Sequence, residues 1–223
     1  MHLAEIAPGI RSEIRYAGAD NFTGARVPGY DAAECLLRRS VAEALARVAQ
    51  DLAAHDPPLA LIVYDCYRPV RAVAAFVAFA RDASAGDKSY FPRLAKRDLL
   101  RGGYIAARSG HSRGIAVDLT LALASNLGTA KPTPPSAPPA PCTAEKRART
   151  SDHGVDMGTG FDCFDERSHA GHGDLTAEQT RWRRVLAAAM ARRGFEGYAR
   201  EWWHFSYPAA DDGRSFDVPV GPR

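Results

Sequence analysis

Two short segments of this 223-residue chain place histidines close to carboxylates. In the first, His111 and Asp118 flank a turn that contains glycine, and in the second, Glu201 lies three residues before His204. Zn²⁺ accepts imidazole nitrogen and carboxylate oxygen, and a catalytic zinc site uses three protein ligands so that its fourth position holds water. The two segments therefore predict a zinc-dependent hydrolase that carries its own catalytic base.

The local chain geometry decides whether these side chains can meet. The turn Ser112-Arg113-Gly114 brings His111 towards Asp118, which stands on a predicted strand. An ideal strand points residues three apart to opposite faces, so Glu201 and His204 require a bulge, and bulges re-aim side chains next to active sites. A structural interpretation stays open, in which His111 caps a turn, Asp118 pairs with Arg113, and Glu201 and His204 are polar residues of an edge strand.

Arg68 follows the apolar run 59–64, which has the length and branching of a buried strand. A guanidinium at the end of such a strand is costly unless an anion meets it. One interpretation is a structural ion pair. The other is that Arg68 stabilises the negative charge that develops in a tetrahedral intermediate.

The segment Asp156-Met157-Gly158-Thr159-Gly160-Phe161-Asp162 sets carboxylates around two glycines, as turns often do. If this segment lies beside the metal, one of its carboxylates receives the ammonium group of a peptide substrate. His169 and His172 form a rival metal pair, but no third ligand stands at a matching spacing. A serine hydrolase is a further rival, and the G-x-S-x-G elbow that would expose its nucleophile is absent.

Hydrophobic periodicity predicts helices interspersed with strands, without a regular strand-helix repeat, which is typical of an α+β fold. We expect a single domain over 1–223. The predicted elements are a helix that starts at Asp31 and runs through Leu52, the strand 59–64, a helix from Val70 to about Ala83 with Pro69 in its first turn, the strand 115–121, and a helix that opens with Thr176 and Gln179 and stops at Gly194.

Composition narrows the partners and the location. The net charge of +3 and the absence of a long basic stripe argue against nucleic acid, and the apolar runs are too short to cross a bilayer. Cys35, Cys66, Cys142 and Cys163 show no C-x-x-C spacing, so we expect free thiols and a cytoplasmic location. Six prolines among the eleven residues from Lys131 to Pro141 predict an insertion loop at about 128–150.

Taken together, the motifs resemble those of the VanX-type D-alanyl-D-alanine dipeptidases. The matching segments are Tyr64-Asp65-Cys66-Tyr67-Arg68-Pro69, Ser109 to Asp118, Asp156-Met157-Gly158-Thr159, Glu201-Trp202-Trp203-His204 and the N-terminal stretch Tyr16 to Gly24. Their order is the same as in that family. Cys66 is a departure, because the family often carries a small residue at this place.

The resemblance implies a hedgehog/D,D-peptidase-like fold with a central antiparallel sheet flanked by helices. It also implies one Zn²⁺ per chain and hydrolysis of D-alanyl-D-alanine to two D-alanines. This reaction reduces the dipeptide pool for cell-wall precursors, which in that family underlies glycopeptide resistance or D-alanine recycling. The implied roles are zinc ligation by His111, Asp118 and His204, base catalysis by Glu201, transition-state stabilisation by Arg68, ammonium binding by Asp156, and pocket lining by Tyr16 and Ser109.

Two alternatives remain. A related zinc D,D-carboxypeptidase or peptidoglycan endopeptidase would use the same metal chemistry on a longer substrate. A non-catalytic zinc-binding module would have no need for both Glu201 and Arg68. The expected partner is a small dipeptide, without nucleic acid or membrane, and self-association into a homo-oligomer is left open.

Overall fold

A computed structural model describes residues 1–82, 84, 88–128, 140–149 and 153–223 of the chain. Its helices and strands alternate irregularly along the sequence, which confirms the predicted α+β class. The helices are α1 (Leu3–Ile6), α2 (Arg39–Ala53), α3 (Val70–Arg81), α4 (Asp98–Arg101) and α5 (Ala177–Arg192), and the strands are β1 (Arg11–Ser12), β2 (Leu59–Asp65), β3 (Ala116–Leu123), β4 (Glu196–Tyr198) and β5 (Glu201–Ser206). Within the described residues, no helix has the length and apolar character needed to cross a membrane.

The strands form one mixed sheet in the order β1-β2-β3-β5-β4. Neighbours pair antiparallel from β2 to β4, as predicted, while the two-residue β1 runs parallel to β2 at the edge. The sheet therefore places β3 and β5 side by side in its centre, although more than 75 residues separate them along the chain.

Side-chain alternation along β3 gives the sheet two different faces. Val117, Leu119 and Leu121 enter the main apolar core, where α2 packs on β2 and α5 packs on β3 and β4. Asp118, which lies between the first two of these residues, points to the other face. The sheet thus presents its polar residues on the side away from α2 and α5.

The helix predicted to start at Asp31 begins eight residues later, at Arg39, so that prediction is wrong at its N-terminus. The backbone before it is occupied by tertiary pairing: the N–H of Asp31 donates to the Val220 carbonyl, and the N–H of Leu37 donates to the Met1 carbonyl. Helix α5 begins as predicted, because Thr176 and Gln179 form a reciprocal capping box.

All four cysteines are paired, so the expectation of free thiols is wrong. Cys35 bonds to Cys66, and Cys142 bonds to Cys163. Neither pair has a short sequence spacing that would reveal it, because the two bonds close loops with separations of 31 and 21 residues. The cytoplasmic location expected from free thiols loses that support.

The predicted insertion at about 128–150 lies partly outside the described residues, since 129–139 and 150–152 are not among them. Its described part, 140–149, lies against the rest of the molecule. The N–H of Cys142 donates to the Ser89 carbonyl at 2.6 Å, and a short 3₁₀ turn spans Lys146–Ala148.

Candidate metal centre and substrate cavity

The sheet register brings the three predicted metal ligands together. Asp118 and His204 are cross-strand partners on β3 and β5. His111 opens the 3₁₀ turn His111–Arg113 that precedes β3, and Gly114 closes this turn at φ 68°, a conformation that favours glycine. The turn that holds His111 leads directly into β3, and β3 pairs with the strand that holds His204. The three residues therefore lie together although they are distant in sequence.

The ligand atoms of these residues form a nearly regular triangle. His111 Nε2 lies 3.1 Å from His204 Nδ1 and 3.3 Å from Asp118 Oδ1, and His204 Nδ1 lies 3.0 Å from Asp118 Oδ1. A tetrahedral zinc site with bonds of about 2.0–2.1 Å separates its ligand atoms by about 3.3–3.4 Å. The donor set and its spacing therefore fit a four-coordinate divalent ion with one position left for water or substrate.

Hydrogen bonds fix which ring nitrogen of each histidine is available. His111 Nδ1 lies 2.5 Å from the Cys66 carbonyl, which only accepts, so Nδ1 carries the proton and Nε2 presents a lone pair. His204 Nε2 lies 3.4 Å from the Ser206 hydroxyl, which leaves Nδ1 for the metal. Such outer partners orient metal-binding imidazoles in known metal sites.

Asp118 carries the negative charge of the ligand set. Burial opposes its ionisation, but His111 and His204 hold the pKa of its carboxyl below the usual range of an aspartate. Burial, conversely, lowers the pKa of His204, which keeps its imidazole neutral. A neutral imidazole and an ionised carboxylate are the forms that ligate a metal.

Arg68 reaches the same centre from the end of β2. Its Nε and Nη2 lie 2.9 and 2.8 Å from Asp65 Oδ2, and its Nη2 lies 3.4 Å from Asp118 Oδ2. The guanidinium also stacks 5.1 and 5.0 Å from the ring centroids of Tyr16 and Phe76. Burial disfavours its charge, yet Asp65 raises the pKa of Arg68 above its usual value, so the side chain stays cationic.

Glu201 stands beside the ligand triangle, with its Oε2 3.9 Å from His204 Nδ1. The irregularity predicted between these residues is present. Gly197 of β4 pairs with Phe205 of β5, but the next residue of β4, Tyr198, pairs with Glu201, so the register shifts between these two pairs. Burial, followed by the charge of Asp118, raises the pKa of Glu201 well above its usual value. A carboxylate with a raised pKa next to a metal position is suited to proton transfer.

A cavity of about 270 Å³ opens onto this centre. It is smaller than the pockets of about 300–1,000 Å³ that hold drug-sized ligands, which suits a small substrate. Its wall includes Tyr16, Ser109, Asp162 and the exposed Arg108. Ser109 also accepts the N–H of His111 at 3.1 Å, so it is tied to the turn that carries this ligand.

Of the two aspartates in the segment 156–162, the structure brings Asp162 to the cavity and leaves Asp156 outside it. The carboxylate of Asp156 pairs with Arg149 and accepts hydrogen bonds from the Gly158 N–H at 2.9 Å and the Gln179 amide at 2.8 Å. Asp156 therefore anchors the segment to the start of α5. The ammonium role assigned to Asp156 from the resemblance does not agree with this position.

Asp162 is held at the cavity wall in a left-handed conformation, with φ 56°. Its Oδ2 accepts the hydroxyl proton of Tyr16 at 2.8 Å, and the residue is only 4% exposed. Burial, followed by the charge of Asp118, raises the pKa of Asp162 well above its usual value. A buried carboxyl with a raised pKa ionises when a positive group enters beside it, and it then pairs with that group.

Comparison with known proteins agrees with this geometry. The chain matches the family model described as D-ala-D-ala dipeptidase over residues 1–131 and 140–220. It is 35% identical to the D-alanyl-D-alanine dipeptidase of Enterococcus faecium over 98% of this chain and 96% of that protein. The proteins of the same name from Streptomyces coelicolor and Escherichia coli are 35% and 34% identical, over 97% and 93% of this chain and 95% and 84% of their own lengths.

The chain belongs to the D-ala-D-ala dipeptidase family. It is thus a metallopeptidase, and its mixed sheet with flanking helices is consistent with the family fold. The coverage of both partners is nearly complete, so the family relationship includes the segments that carry the cavity.

Two residues with clear roles in the site were missed from the sequence. Asp65 is fully buried and holds Arg68, and it accepts the Tyr30 hydroxyl at 2.6 Å. The sequence contains a signal for this ion pair, because Asp65 lies three residues before Arg68 in the same motif. Asp162 lies in the segment 156–162 that the sequence analysis singled out, but spacing alone does not tell which aspartate of this segment lines the cavity.

The rival metal pair does not assemble a site. His169 Nε2 lies 3.0 Å from the Tyr104 hydroxyl, and burial lowers the pKa of this histidine. Among the residues that the structure describes, the group of three side chains able to share an ion is His111, Asp118 and His204.

Proposed function

We propose that this chain hydrolyses D-alanyl-D-alanine to two D-alanines with a zinc ion held by His111, Asp118 and His204. The observation that carries the proposal is the ligand triangle at the base of a small cavity, with ligand atoms 3.0–3.3 Å apart. Two imidazoles and one carboxylate are a ligand set that zinc accepts, and the relatives named above are dipeptidases for this substrate.

Charge balance supports a substrate with a free ammonium group. Four carboxylates, those of Asp65, Asp118, Asp162 and Glu201, surround one guanidinium, that of Arg68. Burial raises the pKa of Asp65, Asp162 and Glu201, so their ionised forms are favoured only when cations enter the centre. With all four ionised, a divalent cation and Arg68 would leave one negative charge to be balanced. We assign the balancing charge to the substrate ammonium, bound by Asp162 together with the Tyr16 hydroxyl.

The other end of the dipeptide carries a carboxylate, and the cavity has a polar wall to receive it. Ser109 and Arg108 line this wall. In the described part of the chain Arg108 takes part in no ion pair, whereas Arg68 is already engaged by Asp65. We therefore assign the substrate carboxylate to Arg108 and Ser109.

The chain's own groups then supply the remaining chemistry. A zinc ion held by His111, Asp118 and His204 would polarise the scissile carbonyl and lower the pKa of water. Glu201 accepts the proton of the attacking water and returns it to the leaving amine. Arg68, held rigid by Asp65, faces the oxygen that becomes negative in the tetrahedral intermediate.

The test compares substrates that differ in one charge. Apoprotein is reloaded with zinc, and hydrolysis of D-alanyl-D-alanine is measured beside N-acetyl-D-alanyl-D-alanine and a blocked tripeptide. We expect the free dipeptide to be cleaved with the highest kcat/KM. Equal or faster cleavage of the blocked tripeptide would favour a carboxypeptidase or endopeptidase, and zinc binding without any cleavage would favour a non-catalytic module.

Location is a separate proposal. Disulfides form and persist in oxidising compartments, and both cysteine pairs of this chain are bonded. We infer that the protein folds in an oxidising environment rather than in the reducing cytoplasm expected at first. Alkylation of the unreduced, denatured protein tests this: no thiol should react, and four reactive thiols would restore the cytoplasmic expectation.

A further inference from the structure

The Cys35–Cys66 disulfide lies directly behind the metal ligands. Cys66 stands between Asp65 and Arg68, and its carbonyl accepts the Nδ1–H of His111 at 2.5 Å. The His111 carbonyl in turn accepts the N–H of Arg68 at 3.2 Å. A shift of the Cys66 backbone would therefore rotate a metal ligand and displace the guanidinium together.

Its partner cysteine ties this segment to the N-terminal part of the chain. Next to Cys35, the Leu36 carbonyl accepts the Tyr67 N–H at 2.9 Å, and the Cys35 carbonyl accepts the Leu3 N–H at 2.8 Å. Both cysteines are buried. The residues just before α2 belong to no helix or long strand, so the covalent bond supplies rigidity that regular secondary structure does not.

The second disulfide lies directly beside Asp162, which lines the cavity. Cys163 directly follows Asp162, and its partner Cys142 accepts the Gly160 N–H at 2.9 Å through its carbonyl. The Phe164 N–H donates to the Tyr90 carbonyl at 2.8 Å. The segment that presents Asp162 is thus fixed on both sides of that residue.

We propose that the two disulfides are separate positioning elements of the cleft: Cys35–Cys66 sets the metal ligand His111 and Arg68, and Cys142–Cys163 sets the ammonium acceptor Asp162. The assignment of what each end binds rests on the proposed function. The placement of each disulfide next to one group of site residues is independent of the proposed function.

The two bonds serve as matched controls for each other. They close loops of similar length, with separations of 31 and 21 residues, so their removal should lower global stability by similar amounts. A general loss of stability would act on both variants alike. If each disulfide positions its own group of site residues, C35S/C66S should lose zinc affinity and C142S/C163S should lose substrate affinity.

The experiment uses the full chain as wild type, as C35S/C66S and as C142S/C163S. For C35S/C66S we expect zinc affinity of the apoprotein, measured by calorimetry, to fall by up to about 10–100-fold, the loss seen when an outer partner of a metal ligand is removed, because the residue 66 carbonyl remains but is no longer held against His111 Nδ1. The kcat should fall with it. For C142S/C163S we expect zinc affinity and kcat within about 2-fold of wild type and a KM about 10-fold higher.

Equal effects of the two variants on zinc affinity and on KM, after thermal unfolding shows both to be folded, would overturn the proposal. Because zinc affinity is read without turnover, the result stands even if the chain does not cleave the dipeptide. Should C35S/C66S fail to fold, C35A/C66A takes its place, because alanine leaves no unpaired hydroxyl at these two buried positions. Zinc affinity equal to that of wild type in the folded C35A/C66A variant would equally overturn the proposal.

Discussion

Asp118 Oδ1 and His204 Nδ1 lie 3.0 Å apart across two neighbouring antiparallel strands. The same carboxylate reaches Arg68 through its other oxygen at 3.4 Å. Asp118 therefore contacts both the candidate metal position and the Arg68 guanidinium. A cation bound beside Asp118 would therefore change the electrostatic environment of Arg68.

Removal of the metal should abolish turnover and lower stability. A ligand that binds only the folded state stabilises it by about 2.7 kcal/mol at a free concentration of 100 times its Kd. Treatment with a chelator should therefore lower Tm, and zinc should restore it. Asp118→Ala, which deletes a proposed ligand and the partner of two histidines, should show no zinc-dependent rise in Tm.

Replacement of Glu201 by Gln should separate catalysis from metal binding. The amide cannot accept a proton, so kcat should fall about 10²–10⁴-fold. Zinc content should stay near one ion per chain, because the three ligand atoms are untouched. Turnover close to that of wild type with zinc retained would remove Glu201 as the base.

Asp162→Asn and Asp156→Asn form a matched pair within one segment. A hydrogen bond to a charged group contributes about 1.5–3 kcal/mol, and each 1.4 kcal/mol is tenfold in affinity, so Asp162→Asn should raise KM for the dipeptide about 10–100-fold. Asp156→Asn should leave KM near its wild-type value and lower the free energy of unfolding by about 1–2 kcal/mol, because it weakens contacts to Arg149 and Gln179. The opposite pattern would return the ammonium role to Asp156.

Arg68→Lys keeps the charge but loses the fork that grips Asp65 with Nε and Nη2. We expect kcat to fall about 10²–10³-fold, the range seen when one oxyanion donor is removed. Arg113→Lys is the control, since Arg113 pairs with Asp211 away from the cavity. Similar losses in both variants would indicate a general effect of arginine replacement.

Asp165 provides a prediction about pH and stability. Burial opposes its ionisation, but Arg93 and the N–H of Arg167 lower the pKa of its carboxyl below the usual value. A lowered pKa in the folded state stabilises the fold above the unfolded pKa of about 3.9, and that contribution is lost as pH falls further. Asp165→Asn should therefore reduce Tm at pH 7 and flatten the loss of Tm on acidification, whereas Asp174→Asn, at an exposed carboxylate, should change neither.

Much of the fold was predictable because it depends on local patterns. The capping box at Thr176 fixed the start of α5, and the continuous apolar run before Asp65 identified β2. The start of α2 was not predictable, because the stretch from Asp31 uses its backbone in pairing with distant segments such as Val220. Long-range pairing leaves no periodic signal in the chain that precedes the helix.

The same distinction applies to the site. His111, Asp118 and His204 were identifiable because metal chemistry restricts ligand types, and the bulge near Glu201 followed from a spacing of three residues. Asp156 and Asp162 were not separable by chemistry, since both are aspartates in a glycine-containing loop. The disulfides were missed for a related reason: cysteines without a motif spacing are paired only by the tertiary structure.

The bond between Cys142 and Cys163 has a consequence for the proline-rich sequence before it. The described chain stops at Gly128, just past β3, and resumes at Ala140, two residues before the cysteine. Arg11 donates to the Leu127 carbonyl at 3.3 Å before that stretch, and the disulfide to Cys163 holds Cys142 after it. We therefore expect a change in the number of residues between Gly128 and Ala140 to leave the position of Asp162, which adjoins Cys163, unchanged.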